Sequence, residues 1–166
     1  MTDLVVADAS PLIALAKVGH LQTLALVAGR VIVPNVVIEE CTCESHLPGA
    51  AEIGRALAMG WLHPQPTNPA FEPTLAPGID AGEASAIGLA IALNAPILID
   101  ERIGRRIATA HSLKVIGTMG ILLRAKQLSK INAVAPILIA LREAGIFVAP
   151  ALEQEVLRRA DELLPG

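Results

Sequence analysis

Aromatic side chains are nearly missing: there is no tyrosine, and Trp61, Phe71 and Phe147 are the whole stock in 166 residues. A base-stacking platform, which needs successive aromatic faces, has nothing to be built from. Cysteine is almost as scarce. Cys41 and Cys43, one residue apart, make no disulfide framework and read as buried or free thiols. His20, His46, His63 and His111 share no paired or helical spacing, so no zinc signature emerges. Neither a G-x-x-x-x-G-K-S/T loop nor a G-x-G-x-x-G turn is present, which leaves nucleotide-dependent chemistry without a handle. No apolar run reaches the roughly 18 residues of a membrane span, and Met1 to Asp3 is not the basic start of a secretory signal. The expected setting is therefore cytoplasmic, with no membrane partner.

Small aliphatic residues are plentiful. At 53% hydrophobic the chain can fill the core of one domain, and a stock of Ala, Leu, Ile and Val suits a parallel sheet covered by helices on both faces. Leu4 to Ala7 reads as a short buried strand. A helix follows, with Ser10 as N-cap and Pro11 at its first position, and Gly19 ends it. Further strands are expected at Val31 to Val33, Trp61 to His63, Ile97 to Ile99 and Lys114 to Ile116, with a short extended piece at Ile146 to Val148. Helices are expected at Leu21 to Val27, Pro34 to Cys41, Gly49 to Met59, Asp80 to Leu93, Glu101 to His111, Thr118 to Gln127, Ala133 to Ala144 and Ala151 to Leu163. Between Pro64 and Gly78, five prolines in fifteen residues rule out a regular helix, and a surface loop, as a lid or cleft rim, is expected.

Charge is segregated. Residues 1 to 101 carry eleven acids against three bases, whereas 102 to 142 carry eight bases and no acid, Arg102, Arg105 and Arg106 among them. This basic stretch is either a solvated face or a phosphate-binding edge beside an acidic centre. Four acids stand beside apolar elements: Asp8 after LVVA, Glu40 six residues after Pro34, Glu83 early in DAGEASAIGLAIAL, and Asp100 closing PILID. In open α/β sheets ligands bind outside the carboxyl ends of the strands, where Asp8 and Asp100 fall. Clustered carboxylates repel one another and would converge to hold hard divalent cations. Asp80, three residues before Glu83, has the spacing of that helix's N-cap.

Five segments, VVADASPLIALAKVGHL, VIVPNVVIEE, GIDAGEASAIGLA, ILIDERIGRRIA and VIGTMGILLRAK, resemble in order and spacing the PIN-domain family, in particular its VapC-like toxin ribonuclease branch. The resemblance spans about Leu4 to Lys126, and QLSKI after Lys126 departs from the glycine-containing turn expected there. It implies a three-layer α/β/α sandwich with a central, mostly parallel sheet and a helical C-terminal extension. The whole chain, 1–166, would be a single PIN-like domain with its core at about 3–130 and its tail at about 131–166. It implies a metal-dependent endoribonuclease using Mg2+ or Mn2+, the toxin of a type II toxin–antitoxin pair. An RNA substrate, an antitoxin protein and a homodimer are the implied partners. By the same resemblance Asp8, Glu40 and Asp100 hold the main metal, Glu83 its water shell or a second metal, and Ser10, Glu101 and Thr118 assist. Arg102, Arg105 and Arg106 are candidates for RNA contact. A non-catalytic PIN-like module that binds RNA or protein is the alternative. A haloacid-dehalogenase-like phosphotransferase would want a second Asp where Ser10 stands.

Overall fold

The computed structural model describes residues 3–66 and 77–163. Five strands, β1 (Leu4–Ala7), β2 (Arg30–Pro34), β3 (Leu62–Gln65), β4 (Ile97–Leu98) and β5 (Val115–Ile116), form one parallel sheet in the order β3-β2-β1-β4-β5. Val5 pairs with Val31 and Val6 with Ile97, so β1 lies at the centre. The chain builds outward through β2 and β3, then returns to the other side of β1 for β4 and β5. The reversal puts a topological switch point between β1 and β4, the crevice where open α/β sheets bind their ligands. Asp8 leaves β1 and Asp100 leaves β4 at that edge.

Strand alternation sorts the core into two layers. Val5, Ala7, Val31, Val33 and Leu98 face one side, where they pack with Leu12, Leu15, Leu24, Val37, Ile53 and Leu122. Val6, Ile32, Ile97 and Ile99 face the other, against Ala86, Ile87, Leu89 and Ala90 of the central helix and Ala108. The first layer is made by α1 (Ala9–Lys17), α2 (Leu21–Ala28), α3 (Asn35–Thr42), α4 (Ala50–Ala58) and α7 (Thr118–Gln127); the second by α5 (Ala81–Leu93) and α6 (Arg102–Ala110). This is the expected three-layer α/β/α sandwich. The tail helices, α8 (Ala135–Glu143) and α9 (Pro150–Arg159), join the first layer through Val134, Leu138, Leu141 and Val156, all buried.

Most elements fall where periodicity and glycine punctuation predict them. Three differ. Helix α1 begins at Ala9, so Asp8 and not Ser10 stands at its N-cap position; Ser10 is exposed in the first turn. Strand β3 continues through Pro64 to Gln65, which its place at the sheet edge allows, since it pairs with β2 alone. Ile146 to Val148 forms no strand and joins α8 to α9 as irregular backbone. Residues 67–76, the greater part of the expected proline-rich loop, lie outside the described residues. Among the described residues, no helix is long and apolar enough to cross a membrane.

Candidate active site

Asp8 is the centre of the site because β1 ends beneath it and α1 begins beyond it. Its backbone is extended there (φ −87°, ψ 170°), and its side chain makes no helix cap. The carboxylate is instead buried, 3% exposed, in a cleft of about 410 Å³ lined by Asp8, Ser10, Glu40, Asp80, Glu83 and Glu101 with Gly78 and Ile79. Burial pushes its pKa up to about 7; the Ala9 amide works against this, and the charges of Glu83, Asp80 and Glu40 add to it. Glu40 is raised by burial and by Asp80 and Glu83. Glu83 is raised by burial and, against the Asp80 amide, by the charges of Asp80 and Glu101. A cleft in which each acid lifts the next is one that a cation would relieve.

Glu83 is placed by a capping box. Its amide donates to Asp80 Oδ1 at 2.8 Å, and its Oε2 accepts from the Asp80 amide at 2.9 Å. The other oxygen, Oε1, is buried and has no hydrogen-bond partner among the described residues. It lies over Gly104 of α6, where an added Cβ would stand 3.2 Å from it. Glu40, on the second turn of α3, reaches across to α5: Oε2 would lie 2.5 Å from a Cβ at Gly82, and Asp80 Oδ1 3.3 Å from the same point. The missing side chain of Gly82 is thus what lets two carboxylates approach α5. Cys41, buried on α3, is no nucleophile; burial, then Glu40 and Asp8, push its thiol up to about 12.

Asp100 is not among the residues lining that cleft. Its Oδ1 accepts from the Thr118 amide at 2.8 Å and its Oδ2 from Thr118 Oγ1 at 2.5 Å, which ties the end of β4 to the start of α7. Arg105 Nη1 donates to the Ile99 carbonyl at 2.8 Å and rests on the bare face of Gly117 beside Asp100. Asp100, Arg105 and Thr118 line a second, largely apolar groove of about 790 Å³ between α1, α7 and the tail, and Ser10 borders both hollows. Arg102 and Arg106 are exposed and line neither. Of the acids singled out from the sequence, Asp8, Glu40 and Glu83 therefore share one cleft with Glu101, while Asp100 lies on the adjoining wall. Asp80 is the site residue that sequence reasoning left out. It caps α5 as its spacing predicts, and it also lines the cleft; two acids three apart on a first turn face the same side.

The donor set suits a hard divalent cation: it is made of carboxylates, and one buried carboxylate oxygen has no partner among the described residues. Among the described residues no three acids, histidines or cysteines form a ready-made coordination set. The fit is that of an ion keeping part of its water shell, as Mg2+ commonly does.

A parallel α/β/α sandwich with an acid-lined cleft at the carboxyl edge of its central strand belongs to the class of open α/β proteins that place their ligand sites at that edge. Within it, the chain belongs to the PIN-domain family, whose model matches residues 4–162. No curated protein sequence matches this chain. Among solved structures it is similar to a PilT N-terminus domain protein from the hyperthermophilic archaeon Sulfolobus solfataricus P2. The TM-score is 0.53 at 16% identity, over 74% of this chain and 92% of that one, which is a likeness of fold. PIN domains are generally nucleases and typically depend on divalent metal.

Proposed function

We propose that this protein is a Mg2+- or Mn2+-dependent endoribonuclease, the cytoplasmic toxin of a type II toxin–antitoxin pair. The observation that carries the reading is Asp8, buried at the end of the central strand in a cleft whose other titratable groups are all carboxylates. Bound divalent cations supply Lewis-acid stabilisation of a phosphodiester and acidify water. Asp8, Glu40 and Glu83 hold the cation, and Ser10, at the rim, orients Asp8 or a water. Thr118 fixes Asp100 against α7, and Arg105, which lines the groove as Arg159 also does, meets the RNA backbone as it leaves the cleft. The products would carry a 5′-phosphate and a 3′-hydroxyl. The exposed Phe147 and Leu152 on the apolar groove beside the site supply a surface for an antitoxin segment or a second copy of the chain.

A second reading has its own support. Glu83 Oε2 is engaged in a capping box, Asp100 in bonds to Thr118, and no coordination set is preformed among the described residues. A PIN-like module that binds RNA without cutting it would look the same. Cleavage of a mixed RNA pool by the purified protein and by Asp8→Ala, with Mg2+, with Mn2+ and with chelator, separates the two. Metal-dependent cleavage that falls by at least about a hundredfold in the variant is expected, the scale on which positioned catalytic groups act. RNA binding without cleavage under every condition, by folded protein free of a bound inhibitor, establishes the binding module instead.

A further inference from the structure

The acid cleft contains one carboxylate more than the family resemblance accounts for. Asp80 lines it together with Asp8, Glu40, Glu83 and Glu101. Its Oδ1 serves as helix cap to the Glu83 amide, yet capping does not exhaust a carboxylate, which has about four lone-pair sites on two oxygens. Glu40 approaches the same spot from α3, and nothing on α5 obstructs it, because the residue between is Gly82. Asp80 Oδ1 and Glu40 Oε2 lie 3.3 Å and 2.5 Å from the single point a Gly82 Cβ would occupy. Two acids of like charge thus converge on a hollow where a methyl group would otherwise sit. No hydrogen bond joins Glu40 to Asp80 among those of the described residues, and no basic side chain lines the cleft. Glu83 lines the same cleft, is only 6% exposed, and its buried Oε1 has no hydrogen-bond partner among the described residues, a role that a bound ion and its waters would fill.

We propose that Asp80 is a cation-binding residue which shares a divalent ion with Glu40 across the bare face of Gly82, in addition to capping α5. Asp80 would join the acids already assigned to the cation, and the remaining positions would be filled by water and a substrate phosphate, since Mg2+ usually keeps several waters. The proposal rests on the metal-dependent reading above and extends it: the capping box and the cation site use the same aspartate. An ion held there keeps Glu40 against α5.

The test is Mn2+ binding to the full chain, followed by calorimetry and by the rise in melting temperature on adding Mn2+ to chelator-treated protein. The variants are Asp80→Asn, Glu40→Gln and the double substitution. Asparagine is as good an N-cap as aspartate, so Asp80→Asn removes the charge and keeps the helix start. Its melting temperature in chelator, expected at or above that of wild type, checks this. Each single variant is expected to weaken Mn2+ binding by at least about tenfold, since even second-shell partners of a metal cost that much. The double variant is expected to be no weaker than the worse single one, because residues sharing one ion are coupled and do not add. Wild-type affinity in Asp80→Asn, or strictly additive losses in the double variant, overturns the assignment of Asp80 while leaving the metal-dependent reading intact. No Mn2+ binding by wild type at all overturns both.

Discussion

At the scale of a residue, Asp8 determines how the site behaves with pH. Its pKa is about 7 in the folded protein against an ordinary 3.8, with burial the main cause. A carboxyl raised in this way binds more protons folded than unfolded between those values, so stability falls as pH rises from 3.8 to about 7 and stays low above. Glu40 and Glu83 are raised too and act in the same direction. In chelator, the substitution Asp8→Asn should therefore stabilise the protein at pH 8, by on the order of 2–4 kcal/mol. This corresponds to a melting temperature at least about 4 °C above wild type for a chain of this length. At pH 4 the two proteins should melt together. Added Mn2+ should reverse the order at pH 8, because a ligand of the folded state stabilises in proportion to its occupancy. An Asn variant less stable than wild type at pH 8 without metal would mean that Asp8 contributes to folding and is not held at a cost for chemistry.

At the scale of an element, α5 shows both what the sequence made legible and what it concealed. Its span was readable from DAGEASAIGLAIAL, since a D-x-x-E start and a run of small and aliphatic residues specify a capped, buried helix, and residues 82–90 are buried without exception. Its neighbours were readable for the same reason, because five short apolar runs separated by glycines leave little choice of strands. The direction of side chains was less accessible. That Asp100 would turn to Thr118 depends on where α7 begins relative to β4, and that Glu40 would rest on α5 depends on two helices far apart in sequence. The use of glycine at 82 emerges only from the packing. Gly82→Ala should consequently favour the helix by about 0.5–1 kcal/mol, the usual gain of alanine over glycine. The new Cβ displaces the mobile end of Glu40 and asks Asp80 to give by a few tenths of an ångström. The variant should melt no lower than wild type in chelator and yet lose most of the Mn2+-induced rise. A variant that melts several degrees lower without metal would show that the hollow is needed for packing.

At the scale of the whole molecule, the basic stretch that looked uniform in sequence divides by function. Lys126 and Arg142 are committed to the tail: Lys126 reaches the Ala160 carbonyl and Glu162, and Arg142 pairs with Glu153. Arg105 supports the end of β4, while Arg102 and Arg106 remain exposed on α6. Glu162 is the hub of the tail. Its Oε1 accepts from Lys126 at 2.8 Å and the Val134 amide at 2.6 Å, and its Oε2 from the Ala135 amide at 2.7 Å, so one carboxylate closes the start of α8 and fastens it to α7. Burial alone would raise its pKa, but Lys126 and the two amides together hold it below its ordinary 4.5. Its stabilising effect is thus fully present above pH 4.5 and is lost as pH falls through the lower, folded value. Glu162→Gln removes the charge and leaves the amides one acceptor instead of two, which should cost about 1–2 kcal/mol in urea denaturation at pH 7. The difference from wild type should shrink as pH falls further below 4.5. Since α8 and α9 share a hydrophobic core with α1 and α7, the loss should appear as a lower midpoint for the single transition with an unchanged slope. A separate early transition would instead show the tail unfolding as a unit of its own, detached from the layer that supports Asp8.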